Sequence, residues 1–183
     1  MLDRATILGA LERLAHHLHE RGVEGELCLL GGTAMMLAFE ARPSTKDVDA
    51  IFQPTALIRE LAQAVGRELD LPDDWLNDAA KGFLSLRHDV GTRDLPQFPG
   101  LRIVAPTAAY LLAMKCMASR IAVDAGGADD VADIRFLLRH LGVVDVHEAL
   151  DIVARYYPAE RVPPRTQFLL EELLHGAGRG GPS

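Results

Sequence analysis

The segment Leu27-Cys28-Leu29-Leu30-Gly31-Gly32-Thr33-Ala34 and the later run Asp47-Val48-Asp49-Ala50-Ile51-Phe52 decide how this chain reads. Residues 27–30 form a short apolar run and predict a buried strand. Gly31-Gly32-Thr33 turns the chain into a helix over 34–39, and Pro43 closes that element. Residues 47–52 alternate polar with apolar and then turn apolar, which predicts a second strand. Side chains two apart on a strand leave the same face, so Asp47 and Asp49 project together while Val48 faces the core. Upstream, residues 3–21 carry apolar side chains at helical spacing, and Gly22 and Gly25 end that helix. Downstream, Pro54 suits the first turn of a helix that continues to residue 69.

The middle third carries weaker signals. Residues 72–78 predict a short helix or turn, and 83–87 and 101–104 are candidate strands. Beyond Pro106 the pattern is helical throughout, with helices expected at 107–123, 129–141, 146–156 and 164–174. The chain therefore divides into an α/β part, 1–105, a helical part, 106–175, and a Gly-rich flexible tail, 176–183.

The 183 residues are 49% hydrophobic and 25% charged, with a formal net charge of −7. That balance suits a folded domain and argues against a broad basic face for holding nucleic acid. No apolar run reaches the ~18 residues that span a bilayer, so no membrane contact is expected. Cys28 and Cys116 lie in apolar runs at no zinc-ligand spacing, which fits free thiols and a cytoplasmic location.

The chemistry concentrates at the glycine turn and the paired acids. Glycines let backbone N–H groups approach an anion, and a helix start favours negative charge. Two carboxylates on one strand face repel unless a cation lies between them, and hard oxygens suit Mg²⁺, whose shell is commonly completed by phosphate. That layout belongs to metal-assisted phosphoryl or nucleotidyl transfer.

Gly31-Gly32 followed at this distance by Asp47-Val48-Asp49 resembles the DNA polymerase β-like nucleotidyltransferase superfamily. The wider run, Gly31 to Ala34 and Arg42-Pro43-Ser44-Thr45-Lys46-Asp47-Val48-Asp49, resembles the AbiEii and MenT toxin-type nucleotidyltransferases. Tyr110-Leu111-Leu112-Ala113-Met114-Lys115, continuing to Arg120, and Asp130-Val131-Ala132-Asp133-Ile134 resemble that family's later motifs. The resemblance spans residues 25–141. It implies an α+β fold, with a small mixed β-sheet nucleotidyltransferase core flanked by helices and followed by a C-terminal helical bundle that completes the active-site cleft.

The resemblance also implies roles. Gly31 and Gly32, with Thr33, would cradle the triphosphate of an NTP substrate. Asp47 and Asp49 would hold Mg²⁺, for which Mn²⁺ can substitute. Lys115 would neutralise phosphate charge, and Asp133 would orient Lys115 or act on the acceptor hydroxyl. Arg42, Thr45 and Lys46 would reach the nucleotide. In the toxin-type branch the acceptor is often tRNA and the protein is paired with an antitoxin; a protein side chain is another acceptor of the same chemistry.

Helical spacing puts Ala113, Met117 and Ile121 on a buried stripe and leaves Lys115 and Ser119 off it. Many superfamily members supply a third carboxylate from a later strand, and neither 83–87 nor 101–104 contains an acid. That gap supports an alternative reading, a catalytically degenerate fold serving as a nucleotide-binding or regulatory module. Asp129 and Asp130 read as helix caps. His16, His17 and His19 read as surface residues, and Trp75, Tyr156 and Tyr157 as packing residues. His88-Asp89 has no placed nucleophile beside it.

Overall fold

The first helix, α1 (Arg4–Glu20), begins where Asp3 accepts a hydrogen bond from the Thr6 N–H at 2.8 Å, and it buries Ile7, Leu11, Leu14 and Leu18 along one face. This is the N-cap and helical stripe that the spacing predicts. The structure is a computed structural model that describes residues 1–92, 95–119 and 125–175; Arg120, Ile121 and the tail 176–183 lie outside the described residues. It is a mixed α+β fold, with seven α-helices among the described residues, a five-stranded sheet and a two-stranded sheet.

The chain divides into two units, Met1–Gly82 with Val90–Pro106, and Phe83–Asp89 with the chain from Thr107 onward. In the first unit the strands are β1 (Leu2–Asp3), β2 (Gly25–Leu29), β3 (Ser44–Thr45), β4 (Val48–Gln53), β5 (Leu76–Asn77), β6 (Val90–Gly91) and β7 (Leu101–Pro106). The larger sheet runs β5-β4-β2-β7-β6, with β2 antiparallel to β4 and parallel to β7. Registers Leu27↔Phe52, Leu29↔Ala50 and Leu27↔Ile103 gather one apolar face. All five side chains are buried. α1 and α3 (Thr55–Glu68) pack with each other and against strands of this sheet. Glu68 joins the two helices, accepting from Arg13 Nε at 2.5 Å and meeting His17 Nε2 at 2.9 Å. The Arg13 hydrogen bond, with a smaller contribution from His17, holds the Glu68 carboxyl below the usual carboxylate range.

Three expectations for the chain up to residue 87 need correction. Residues 72–78 do turn at Pro72–Trp75, but then form β5. Trp75 directs this: its indole N–H donates to Ala62 O at 2.9 Å, and its carbonyl accepts from Val48 N at 2.6 Å. Residues 83–87 form no strand. Their polar backbone is met by side chains, with Ser85 N donating to the Tyr110 hydroxyl and Arg87 N to Ser85 Oγ, and Leu86 is fully exposed. The helix after the glycines, α2 (Gly31–Leu37), starts at Gly31 and not at Ala34.

The second unit contains α4 (Ala108–Ala118), α5 (Ala125–Leu141), α6 (Val146–Ala154) and α7 (Pro164–His175). The segment Phe83–Asp89 belongs to this unit by its hydrogen bonds. Ser85 Oγ donates to Tyr156 O at 2.5 Å, and Asp89 Oδ2 accepts from both Thr107 Oγ1 and Tyr156 Oη. Trp75, Tyr156 and Tyr157 are all buried. Among the described residues no helix is long and apolar enough to cross a membrane.

Gly100 closes the first unit at close quarters. Its φ is +83°, and a Cβ there would lie 3.0 Å from His19 N and 3.2 Å from Ala15 O on the backbone of α1. Gly100→Ala is expected to cost about 2–4 kcal/mol, from left-handed strain and overpacking. Gly9→Ala on the open face of α1 would meet nothing within 4 Å and is expected to stabilise by about 0.5–1 kcal/mol. Urea unfolding of both variants checks the pair; equal midpoints would show that the 98–101 turn moves off α1.

Candidate active site

Val48 and Ala50 are buried while Asp47 and Asp49 are half-buried, as alternation on an extended segment requires. Asp49 lies within β4, and Asp47 immediately precedes it. The parallel register pairs Asp49 with Asn77 of β5, and paired residues share a sheet face. Asn77 Nδ2 in turn donates to Asp47 Oδ2 at 3.1 Å. Asp47, Asp49 and Asn77 therefore occupy one face of the sheet.

The glycine turn meets that face directly. The Leu30 N–H donates to Asp49 O at 2.8 Å, and Thr33 Oγ1 donates to Asp47 O at 3.0 Å. Gly31 has φ +53°, and a Cβ on it would lie 2.7 Å from Asp49 Oδ2. A Cβ on Gly32 would lie 2.6 Å from Thr45 Oγ1 and 3.5 Å from Arg42 Nη1. Both glycines are thus required for room, and Gly31 also for its left-handed backbone. They admit the Asp49 carboxylate, the Thr45 hydroxyl and the Arg42 guanidinium to the start of α2. The first amides of α2 have no acceptor within the helix.

The remaining candidates on this unit separate by burial. Thr33 is fully buried, and its hydroxyl is committed to the Asp47 carbonyl. Thr45 is buried in β3, which pairs with β1 through Leu2↔Thr45 and so fixes the loop before β4. Arg42 is half-buried beside Gly32, and Lys46 is exposed. Farther along β4, Ile51, Gln53, Thr55, Arg59, Asp78 and Lys81 line a hollow of about 300 Å³. Its cations are partnered within it: Asp78 accepts from Lys81 at 2.9 Å and Arg59 at 3.4 Å. The Lys81 hydrogen bond holds the Asp78 carboxyl below its ordinary range.

Lys115 and Asp133 belong to the second unit and are described there. The structure corrects the expectation that Lys115 leaves the buried stripe. Ala108 and the residues from Tyr110 to Met117 are all buried, so α4 has almost no solvent face, and Lys115 is only 7% exposed. Its Nζ lies 2.7 Å from Asp130 Oδ1 and 2.8 Å from Asp133 Oδ2, and Asp133 is 3% exposed. Asp129 and Asp130 are not caps, because α5 starts at Ala125 and places them in its second turn. Ser119 is also buried, its hydroxyl bonded to Cys116 O.

Two residues take roles that the sequence does not assign them, Asp130 in place of a cap and Asn77 where none is expected. Asp130 shares the charge of Lys115, and its i, i+3 spacing from Asp133 was the available signal. Asn77 gave none, since its contact with Asp47 spans 30 residues.

Among the described residues no group of three or more His, Cys, Asp or Glu gathers at one point. Two carboxylates on one face beside a glycine turn nevertheless fit Mg²⁺, which keeps several waters and takes one or two carboxylates plus substrate phosphates. β7 carries no acid. Asp89 is engaged by Thr107 and Tyr156. Burial raises the Cys28 thiol to about 11 and the Cys116 thiol to about 12, so both stay protonated at neutral pH and neither suits a thiolate nucleophile. Comparison with protein-family profiles, characterised proteins and solved structures finds no significant match.

The Lys115 cluster yields a test of its own. Lys115→Met leaves a buried carboxylate uncompensated and is expected to destabilise the protein by about 3–5 kcal/mol. Lys115→Met combined with Asp130→Asn and Asp133→Leu removes the stranded charge and is expected to recover part of that loss. Urea unfolding of the single and triple variants decides; a triple variant no more stable than Lys115→Met would contradict charge compensation.

Proposed function

We propose that this chain is a Mg²⁺-dependent nucleotidyltransferase that moves a nucleotidyl group from an NTP to an acceptor hydroxyl, on a nucleotidyltransferase-type core. The observation that carries the reading is the meeting of two half-buried carboxylates on one strand face with a Gly-Gly turn, where Asp49 lies against Gly31 and Arg42 against Gly32. The resemblance of Gly31 to Asp49 to the toxin-type nucleotidyltransferases supports the same chemistry.

In this reading Asp47 and Asp49 hold the divalent ion. When bound, the ion neutralises phosphate oxygens and so lowers the barrier to attack at the α-phosphorus, with pyrophosphate leaving. Arg42 brings a fixed positive charge to the glycine turn, where it can pair with phosphate oxygens. The leading N–H groups of α2 point at the same anionic ligand. Lys115 and Asp133 enter only through the resemblance, which assigns Lys115 to developing phosphate charge and Asp133 to its orientation. Within the second unit Asp130 and Asp133 hold the Lys115 ammonium from two sides, so it is a fixed and not a swinging cation. A fixed cation needs no reorganisation as charge develops, which is the condition for electrostatic catalysis.

A tRNA or protein acceptor and a cognate antitoxin belong to this proposal on the resemblance alone. The acidic balance favours a contact confined to the reacting end of an RNA over a long footprint. One observation favours the second reading, a module that binds nucleotide without turnover. No three-acid cluster forms among the described residues, and a site with two carboxylates is poorer in charge than one with three.

Purified protein incubated with each labelled NTP, Mg²⁺ and total tRNA or a protein mixture is expected to transfer label. Asp47→Asn and Asp49→Asn are each expected to lower the rate by about a hundredfold or more without lowering the melting temperature. Transfer that survives both changes would rule the carboxylates out. Saturable NTP binding by calorimetry with no transfer to any acceptor would favour the module.

A further inference from the structure

Asp47 has a neighbour that the reading above leaves unused. Asn77 ends β5, in register with Asp49, and is half-buried. Its amide is oriented by two bonds. Oδ1 accepts from the Ala79 N–H at 3.0 Å, which leaves Nδ2 to donate to Asp47 Oδ2 at 3.1 Å. A backbone N–H can only donate, so Ala79 selects the end of the amide that faces Asp47. The strand beneath is anchored independently of the acids, through the Trp75 indole on Ala62 O and the Trp75 carbonyl on Val48 N. The Asn77 donor is thus delivered to Asp47 by a fixed frame.

From this juxtaposition we infer that Asn77 is a positioning residue for the divalent-ion site: it fixes one oxygen of Asp47 while adding no charge, and so holds the metal face at two carboxylates. The inference rests on the metal reading of Asp47 and Asp49. Its chemistry is specific to the amide. An Asp at this position keeps the acceptor for Ala79 but turns a second oxygen toward Asp47 Oδ2. Without a cation those oxygens repel; with one they become a third hard ligand. A Leu at this position keeps the bulk and loses the donor, freeing Asp47 to rotate.

The test uses the full chain and Mn²⁺ alone as the probe, with bound ion counted by electron paramagnetic resonance and melting followed with and without Mn²⁺. Wild type is expected to bind Mn²⁺, and Asp49→Asn to weaken it by about tenfold or more. Asn77→Leu is expected to weaken binding by a similar factor. Asn77→Asp is expected to tighten it by about tenfold, and to melt below wild type in EDTA but above it in saturating Mn²⁺. If Asp49→Asn weakens binding while Asn77→Leu and Asn77→Asp both keep the wild-type affinity, the inference fails and the metal reading stands. If wild type binds no Mn²⁺, or Asp49→Asn leaves binding unchanged, the metal reading fails and takes the inference with it. Should Asn77→Leu not fold, Asn77→Asp decides alone: melting lowered equally with and without Mn²⁺ marks a purely structural residue and overturns the inference.

Discussion

The seam between the glycine turn and the start of β4 is the constraint on which the candidate site depends. Two hydrogen bonds make it, Leu30 N–H to Asp49 O and Thr33 hydroxyl to Asp47 O. Both use main-chain acceptors of the acidic residues and not their carboxylates. Burial of Val48 between them sets which way those carboxylates face. A one-residue slip of β4 would bury both acids and expose Val48, at a cost far above that of the native register. The position of the acids is therefore enforced by the core and not by attraction to a ligand. Such a site is pre-organised before anything binds.

The features legible in the sequence were those carried by local periodicity. The stripe of α1, the apolar run of β2, the alternation of β4 and the switch to helices after Pro106 all depend on neighbours within a few residues. What was not legible depends on partners far away. β5 is two residues long and exists because Trp75 docks on α3 and presents Leu76 and Asn77 to β4. Residues 83–87 have a strand-like composition, but Tyr110 and Tyr156 supply their hydrogen-bond partners, so no strand neighbour is needed. Lys115 departs from the helical-stripe expectation for a related reason. A periodic stripe identifies a buried face only when the helix has an exposed one, and α4 is enclosed on nearly all sides.

That enclosure changes what Lys115 can do. A lysine on a solvent face is flexible and strongly hydrated, and it costs rotamer entropy to place. Lys115 has already met that cost in folding, with Asp130 and Asp133 as its partners. The same partners outweigh its charge, since one lysine and two aspartates make a cluster of formal charge −1. The two acids differ in kind. Asp133 is buried and enforces the pairing, whereas Asp130 keeps 29% side-chain exposure and is the partner that can exchange toward solvent.

The glycines carry a parallel lesson about how function is read from small residues. Gly-Gly at a helix start suggests an opening for phosphate, yet here the space beside each glycine is taken by a protein group, Asp49 at Gly31 and Thr45 at Gly32. An anion approaching the α2 amides would therefore meet a carboxylate at Gly31 and a guanidinium beside Gly32. An acid and a base side by side at this turn make it a surface of mixed charge and not the uniformly cationic one that an anion alone would favour. The glycine pair is therefore read by what it admits, the Asp49 carboxylate, the Thr45 hydroxyl and the Arg42 guanidinium, and not by an opening it leaves.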